Sequence, residues 1–91
     1  MAHSIAYFMF YVYLLKIDGI KGKSFYIGYT SDLKKRLNEH LSGHVKTTRN
    51  RSPRLIYYEA YINKYLALKR EKGIKSSGSV YMSLMKRLSL R

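Results

Sequence analysis

Two short runs rich in β-branched and aromatic residues place the strongest constraint on how this chain of 91 residues folds. The first run, Phe8 to Lys16, is apolar at both odd and even positions, so a strand here carries apolar side chains on both faces. Ile17 to Lys23, with Gly19 and Gly22, is typical of a turn-rich connection, and Ser24 to Tyr29 predicts a second strand. The simplest arrangement is an antiparallel hairpin that other elements cover on both sides.

Each predicted strand contains a triplet with tyrosine, Tyr11-Val12-Tyr13 in the first and Tyr26-Ile27-Gly28 in the second. Glycine near the end of a strand indicates a place where another backbone or a ligand comes close, which we expect at Gly28. The chain has ten tyrosines, and most of them are expected in the core or in surface stacking. The triplets alone therefore do not define a site.

A helix is predicted after the second strand. Ser31 can cap the free backbone amides of its first turn, and Asp32 suits the positive end of the helix dipole. One buried stripe, with a spacing of four residues, is predicted for Leu33, Leu37 and Leu41. Gly43 is the expected end of the helix.

Three further elements are predicted downstream. Leu55 to Tyr61 predicts a third strand. Asn63 can cap a second helix, whose apolar face comprises Ala67, Leu68 and Ile74. The cluster from Ser76 to Ser79 separates it from a short third helix that carries Val80, Leu84 and Leu88 on one face. The chain length favours one domain, residues 1–91, with the order strand, strand, helix, strand, helix, helix.

The charge balance indicates a polyanionic partner. Eighteen Lys and Arg residues against five Asp and Glu give a formal net charge of +13, and a compact domain with this much like charge repels itself. Nucleic acid fits best, because neutralising backbone phosphates releases counterions and drives binding. An anionic membrane surface is the alternative, but no long helix with a basic face opposite an apolar face is apparent. The loop from His44 to Arg54 is notably basic.

The chain contains no cysteine, which excludes disulfides, thiolate metal sites and a cysteine nucleophile. The apolar run from Ile5 to Leu15 is too short to span a bilayer, which takes about 20 residues. It also lacks the positive leader and the small-residue cleavage site of a signal peptide. We therefore expect a soluble, cytoplasmic protein with no membrane partner.

Arg36 and His40 lie four residues apart on the first predicted helix and therefore share one face, beside the leucine stripe. An arginine there can simply lay its methylene stem along the edge of the core with its head in water. Its fork of donors also matches two phosphate oxygens. The imidazole of His40 offers an acid or base near neutrality.

Glu71 shares the inward side of the second predicted helix with Ala67, Leu68 and Ile74. A carboxylate in that position is unfavourable unless it is paired or bound to a cation. A salt bridge to a neighbouring Lys or Arg is one interpretation, and a ligand for one Mg²⁺ or Mn²⁺ ion is the other. With five acidic residues in the chain, one metal on one glutamate is the feasible design.

Taken in order, Val12-Tyr13, Tyr26-Ile27-Gly28 and the segment from Asp32 to His40 resemble the GIY-YIG endonuclease superfamily. The resemblance continues through the basic loop and through Ala67 to Lys72, so it covers nearly the whole chain from Phe10 onward. It points to the small single-domain, YhbQ-like members, which are similar to the nuclease part of the UvrC excision-repair subunit. It implies an α+β fold, a three-stranded antiparallel sheet flanked by helices in the order β-β-α-β-α-α.

The resemblance also implies roles for five residues. Tyr13 would be the general base for the attacking water, or would relay its proton, although a tyrosine must overcome a pKa of about 10 for this. Tyr26 would support Tyr13 and the phosphate, Arg36 would stabilise the phosphate charge, and His40 would assist proton transfer or orientation. Glu71 would hold the single Mg²⁺ or Mn²⁺ ion as a Lewis acid. The products would carry a 5′-phosphate and a 3′-hydroxyl.

The hypothesis that follows is a metal-dependent DNA endonuclease of low sequence specificity, with a preference for particular DNA structures as a further possibility, in DNA repair or processing. RNA is the other nucleic acid considered. The residues expected to contact nucleic acid are Lys35, Lys46, Thr48, Arg49, Arg51, Arg54 and Lys69. The alternative is a nucleic-acid-binding module of the same fold with little or no cleavage activity.

Overall fold

The computed structural model describes residues 9–20 and 22–91, and that part of the chain contains three strands and three helices. The strands are β1 (Phe10–Ile20), β2 (Lys23–Thr30) and β3 (Arg54–Tyr61). The helices are α1 (Leu33–Leu41), α2 (Lys64–Ser76) and α3 (Gly78–Arg87). This order confirms the predicted α+β class and the sequence β-β-α-β-α-α. The predicted start of the first strand at Phe8 lies outside the described residues.

β1 is the central strand of an antiparallel sheet with the order β2-β1-β3. Tyr13 lies opposite Gly28 of β2 and opposite Tyr58 of β3, which confirms the hairpin. The prediction of a connection over Ile17 to Lys23 was wrong, because β1 continues to Ile20. The buried side chain of Ile17 extends the strand, and its packing outweighs the weak strand propensity of Gly19.

Alternate side chains of β1 enter two separate cores, as the apolar residues on both faces of the strand predicted. On one face, Val12 and Leu14 pack with buried residues of α2 and α3. On the other face, Tyr13, Leu15 and Ile17 pack against Leu33 and Leu37 of α1. Helix α1 therefore covers one side of the sheet, and α2 with α3 covers the other.

The ends and the buried face of α1 differ from prediction in two respects. Asp32, not Ser31, is the N-cap, since its carboxylate accepts a hydrogen bond from the Lys35 backbone N–H at 3.1 Å. Leu41 is 60% exposed, because each step of four residues turns 40° past a full helical turn and the third leucine has rotated away from the sheet. His40 is the buried residue of the last turn. Gly43, with φ of 80°, follows the end of the helix as predicted.

The other two helices follow their predicted starts closely. Asn63 caps α2 by accepting from the Leu66 backbone N–H at 3.2 Å. Ala67 and Ile74 are buried, whereas Leu68, predicted on the apolar face, is largely exposed. In α3, Leu84 is buried and its predicted neighbours Val80 and Leu88 pack against the same core. No helix in the described part of the chain is long and apolar enough to cross a membrane.

Candidate active site

Tyr13, Tyr26, Arg36 and His40, here called the tyrosine cluster, come together between the sheet and α1. The spacing of four residues places Arg36 and His40 on the helix face that looks toward the sheet. Tyr13 extends from the central strand into the same space and is 2% exposed. Two strands and one helix thus contribute four of the five residues that the resemblance named to one cluster.

The Tyr13 hydroxyl lies at the centre of the cluster. Its oxygen is 2.8 Å from Nε2 of His40 and accepts from Nε–H of Arg36 at 3.4 Å. Arg36 also donates from one terminal nitrogen to Oε1 of Glu39 at 3.0 Å. Arg36 therefore links a buried phenol to the partly exposed surface of α1, with its side chain 35% exposed.

Gly28 leaves the space that the Tyr13 ring occupies. A Cβ atom at this position would stand 2.3 Å from both Cζ and the hydroxyl oxygen of Tyr13, far inside van der Waals contact. A close approach at Gly28 was predicted for a backbone or a ligand, and the group found there is instead the side chain of Tyr13 from the neighbouring strand.

Tyr26 completes the cluster by aromatic packing. Its ring lies edge-on to that of His40, with 4.9 Å between the ring centroids, and 6.1 Å from that of Tyr13. These contacts hold the imidazole between two tyrosines. Tyr26 also packs against the core that contains the buried residues Leu15 and Ile17 of β1.

Thr48, from the loop after α1, contacts the far side of His40. Its Oγ1 is 2.8 Å from Nδ1 of the imidazole. Thr48 is 0% exposed and His40 is 1% exposed, so water has little access to either residue. Both ring nitrogens of His40 have protein partners instead. A continuous series of hydrogen bonds runs from Thr48 through His40 and Tyr13 to Arg36.

Burial shifts both titratable groups toward their neutral forms. Burial, with the positive charge of Arg36 acting in the same direction, lowers the pKa of His40 from 6.5 to about 4. Burial likewise raises the pKa of Tyr13 well above its ordinary value of 10, partly opposed by the hydrogen bond from Arg36. At neutral pH the cluster therefore holds a neutral imidazole beside a neutral phenol. One ring nitrogen of this imidazole carries no hydrogen and can accept a proton.

Glu71 does not lie within the tyrosine cluster. It belongs to α2, which packs on the opposite face of the sheet from α1, and its carboxylate contacts the Lys75 ammonium at 3.2 Å. Among residues 9–20 and 22–91, no three His, Cys, Asp or Glu side chains group as a metal cage requires. Its side chain is 20% exposed, so it suits a hard cation that keeps most of its waters, as Mg²⁺ does on one carboxylate.

A groove of about 620 Å³ wraps around the outer edge of β2 and connects the two faces of the sheet. Tyr26 lines it from the side of the tyrosine cluster, and Ile74 and Lys75 line it from α2. Lys75 is the ion-pair partner of Glu71. Among the described residues that line this β2 groove, none is acidic and several are basic. The groove is therefore a positively charged path from the cluster toward the helix turn that follows Glu71.

Most of the basic residues predicted to contact nucleic acid are available at the surface. The exposed members of that set are Lys35, Lys46, Arg49, Arg54 and Lys69. Thr48 and Arg51 are buried instead, which favours structural roles for both. Arg51 donates to the backbone carbonyls of Asp18 at 2.8 Å and Lys23 at 2.6 Å, and so ties the basic loop to the hairpin.

Sequence reasoning missed these two roles because their partners are distant along the chain. Arg51 and its acceptor Asp18 are 33 residues apart, and Thr48 is eight residues from His40 in a segment without periodic structure. The charge of the loop was visible, but charge alone does not separate an arginine that anchors a loop from one that faces solvent.

The comparison with known proteins agrees with this architecture. The model of the GIY-YIG catalytic domain matches residues 9–82. Since that match covers most of the chain, the protein belongs to the GIY-YIG catalytic domain family.

Relatives identify the branch of the family. The chain is 40% identical over 68 residues to the UPF0213 protein HQ_3675A of Haloquadratum walsbyi, a match that covers 72% of this chain and 73% of the relative. It is 45% identical over 69 residues to the UPF0213 protein CPE1444 of Clostridium perfringens, with 74% and 71% covered. The solution NMR structure of the UPF0213 protein BH0048 from Bacillus halodurans matches with a TM-score of 0.51 and 34% identity, covering 86% of this chain and 83% of that one. The predicted YhbQ-like relationship is confirmed.

Proposed function

We propose that this protein is a divalent-metal-dependent endonuclease that hydrolyses phosphodiester bonds in DNA. The observation that supports this most directly is the buried hydrogen-bonded series Arg36–Tyr13–His40 in a member of the GIY-YIG catalytic domain family. A phenol held between a guanidinium and a neutral imidazole is suited to moving one proton beside a bound phosphate.

In this proposal Tyr13 acts as a proton relay. Water attacks the phosphorus and its proton passes to the Tyr13 oxygen, while the Tyr13 proton passes to Nε2 of His40. A free phenolate is not needed, which matters because burial raises the pKa of Tyr13. The P–O bond to the 3′ oxygen then breaks and the departing oxygen takes a proton from solvent, giving a 3′-hydroxyl and a 5′-phosphate, while His40 later returns its extra proton to solvent.

Arg36 has a second role in the proposal, stabilising charge on the scissile phosphate. Its planar donors match the oxygens of that group, and its side chain is partly exposed at the surface of α1. Because Arg36 lies against the Tyr13 hydroxyl, its movement toward a bound phosphate would open that hydroxyl to the attacking water. Binding of substrate and exposure of the relay are thus coupled.

Glu71 is the residue proposed to hold the ion, and when bound, Mg²⁺ or Mn²⁺ supplies Lewis-acid activation of the leaving oxygen. The β2 groove supports this assignment, since it leads from Tyr26 to Lys75, the partner of Glu71. A substrate strand that follows the groove would approach both faces of the sheet. Lys75 would exchange its contact with Glu71 for one with phosphate.

Binding is proposed to depend on charge more than on base sequence. The net charge of +13 favours any polyanion, and exposed tyrosines such as Tyr58 and Tyr65 offer stacking surfaces for unpaired bases. We therefore propose DNA with single strands, flaps or branches as the preferred substrate class, with RNA as a weaker ligand. A role in DNA repair or processing would follow from such a preference.

The test is cleavage of a panel of labelled DNA structures with Mg²⁺ or Mn²⁺. Wild-type protein should nick at least one structure, and Arg36→Ala and Glu71→Ala should lower the rate by about 100-fold or more while binding persists. Asp18→Asn is the matched control, because it removes an exposed carboxylate outside the cluster and should leave the rate unchanged. Full activity in Glu71→Ala would remove Glu71 from the mechanism, and wild-type protein that cuts no structure would overturn the enzyme assignment.

One observation favours the alternative of a binding module that cleaves little or not at all. Glu71 lies across the sheet from the tyrosine cluster and is paired with Lys75, which is also how a purely structural glutamate behaves. The cleavage panel separates the two functions. A binding module would hold the same DNA structures with the same salt dependence, and no product would appear with either metal.

A further inference from the structure

We propose that Thr48 is a positioning residue that holds His40 as the Nδ1–H tautomer, so that Nε2 is the acceptor of the Tyr13 proton. The catalytic part of this inference rests on the proposed nuclease function, whereas the tautomer itself does not. Thr48 carries no charge and lies in the loop between α1 and β3.

Counting donors and acceptors on the Thr48 side gives the tautomer. Oγ1 of Thr48 has two neighbours, Nδ1 of His40 at 2.8 Å and the backbone carbonyl of Val45 at 3.5 Å. A carbonyl only accepts, so Val45 offers the threonine proton an acceptor away from His40. With the proton directed there, the lone pair of Oγ1 faces His40, and Nδ1 carries the hydrogen.

The contacts on the Tyr13 side are compatible with the same tautomer. The Tyr13 oxygen accepts from Nε–H of Arg36, a group that can only donate. The phenol can either donate to or accept from Nε2 of His40 at 2.8 Å, and when Nδ1 carries the imidazole hydrogen the phenol is the donor. A neutral imidazole has one donor and one acceptor, so the orientation inferred for Thr48 makes Nε2 the acceptor.

The loop around Thr48 is held in place by backbone hydrogen bonds. The Thr48 N–H donates to the carbonyl of Val45 at 3.1 Å, and its own carbonyl accepts from the Arg51 N–H at 3.1 Å. Arg51 is in turn fixed to the β1–β2 hairpin through the carbonyls of Asp18 and Lys23. Because Thr48 is fully buried, water does not readily replace its hydroxyl.

This arrangement has a consequence for the proton relay. When His40 takes the Tyr13 proton it becomes an imidazolium in a buried space, where a charge is unfavourable. The Thr48 oxygen, which already accepts from Nδ1–H, stabilises that charge without reorganisation. With the other tautomer, Nε2–H would point at the Tyr13 oxygen and the relay would have no acceptor.

The test combines histidine tautomer measurement with cleavage kinetics. Long-range ¹H–¹⁵N correlation spectra distinguish the two tautomers of a neutral imidazole, and His40→Gln identifies the resonances of His40. Wild-type protein should show the Nδ1–H form. Thr48→Val, close in shape, should shift the population toward Nε2–H and lower kcat/KM by about 10- to 100-fold.

Two further variants keep the result specific. Thr48→Ser retains the hydroxyl and should restore both the tautomer and the rate to within a few fold of wild type. Thr47→Val is the matched control for the tautomer, since it makes the same change at the exposed neighbour in the same loop and should leave His40 in the Nδ1–H form.

The outcomes separate this inference from the proposed function. An Nε2–H tautomer in wild-type protein overturns the role of Thr48, as does a Thr48→Val variant with an unchanged tautomer and rate. If Thr48→Val fails to fold, the wild-type and Thr48→Ser spectra still decide the assignment. A wild-type protein that cuts no DNA but shows the Nδ1–H form, lost only in Thr48→Val, overturns the nuclease function and supports the positioning of His40.

Discussion

Gly28 shows how much of the site depends on a single small residue. Its lack of a side chain lets the ring of Tyr13 cross β2 and bring its hydroxyl to His40 at 2.8 Å. The ring is buried beside Tyr26 and His40, so it has no free space into which it can retreat. The glycine of the triplet Tyr26-Ile27-Gly28 thus leaves a space in β2 that the Tyr13 ring of β1 fills.

Gly28→Ala should therefore impair catalysis more than it impairs folding. The added Cβ would displace the Tyr13 ring, because the two would stand 2.3 Å apart. We expect the free energy of unfolding to fall by about 1–3 kcal/mol, as for other overpacked cores. We expect kcat/KM to fall by about 100-fold, because the relay to His40 is misaligned. Urea denaturation and single-turnover cleavage measure the two effects.

Gly73→Ala is the control for this prediction. Nothing lies within 4 Å of a Cβ at that helical position, so the change should be neutral or stabilise the protein by up to about 1 kcal/mol. An active Gly28→Ala protein with wild-type stability would show that Tyr13 does not need its observed position.

At the scale of the elements, Glu59 connects three of them. This residue of β3 accepts two hydrogen bonds from Arg70 of α2, both at 2.9 Å, and lies 3.7 Å from a terminal nitrogen of Arg87 in α3. Tyr57 and Tyr61 also donate to its carboxylate. Desolvation acts against the charge, but these partners lower the pKa of Glu59 to about 2.

Glu59→Gln should weaken the attachment of α2 and α3 to the sheet. The amide keeps the shape but removes the charge that Arg70 faces, and a broken pair at a side chain only 13% exposed leaves a poorly solvated guanidinium. We expect a loss of about 3 kcal/mol in the free energy of unfolding.

Glu39→Gln provides the comparison, since its pair with Arg36 is partly exposed and should contribute at most about 1 kcal/mol. Hydrogen exchange should show faster opening of α2 and α3 in Glu59→Gln and little change in Glu39→Gln. Equal losses of stability in the two variants would contradict the anchoring role.

Whether a feature could be predicted from the sequence depends on how far apart along the chain the interacting residues lie. The order of the strands and helices and the face shared by Arg36 and His40 depend on spacings of a few residues, and these were predicted correctly, whereas the length of β1 and the cap of α1 were not. Leu41 was predicted to be buried but is exposed, since a four-residue repeat drifts around a helix. The contact of Thr48 with His40 and that of Arg51 with Asp18 join segments that only the folded chain brings together. Local patterns therefore predicted the elements, and long-range polar contacts escaped them.

At the scale of the whole molecule, two groups give the fold a stepped dependence on pH. The folded pKa of His40 is about 4, below its ordinary 6.5. As the pH falls from 6.5 to 4, the unfolded chain therefore binds a proton at His40 and the folded chain does not, which lowers the stability of the fold. The folded pKa of Glu59 is about 2, below its ordinary 4.5, so its stabilisation is present above pH 4.5 and is lost below it. The protein therefore loses stability in acid over two adjoining pH ranges, the upper one from His40 and the lower one from Glu59.

Urea denaturation at several pH values should reveal both steps. The free energy of unfolding should fall by about 3 kcal/mol between pH 6.5 and 4 and by a similar amount between pH 4.5 and 2. His40→Gln should flatten the upper window alone, and Glu59→Gln the lower window alone. A stability that stays constant from pH 6.5 to 4.5 in wild-type protein would show that His40 titrates normally.

The net charge of +13 also belongs to the whole molecule, but its members do not contribute equally to DNA binding. Lys46 and Arg49 are exposed in the basic loop, whereas Arg51 in the same loop is buried. Lys46→Gln and Arg49→Gln should each reduce the slope of log K against log salt by about 1, since each removes one phosphate contact. Arg51→Gln should leave that slope unchanged and lower the free energy of unfolding by about 3 kcal/mol, because it removes charged hydrogen bonds from a buried guanidinium to backbone carbonyls. Fluorescence anisotropy with a labelled duplex at several salt concentrations measures the slopes. A slope that falls equally in all three variants would mean that Arg51 leaves its carbonyl partners to bind DNA.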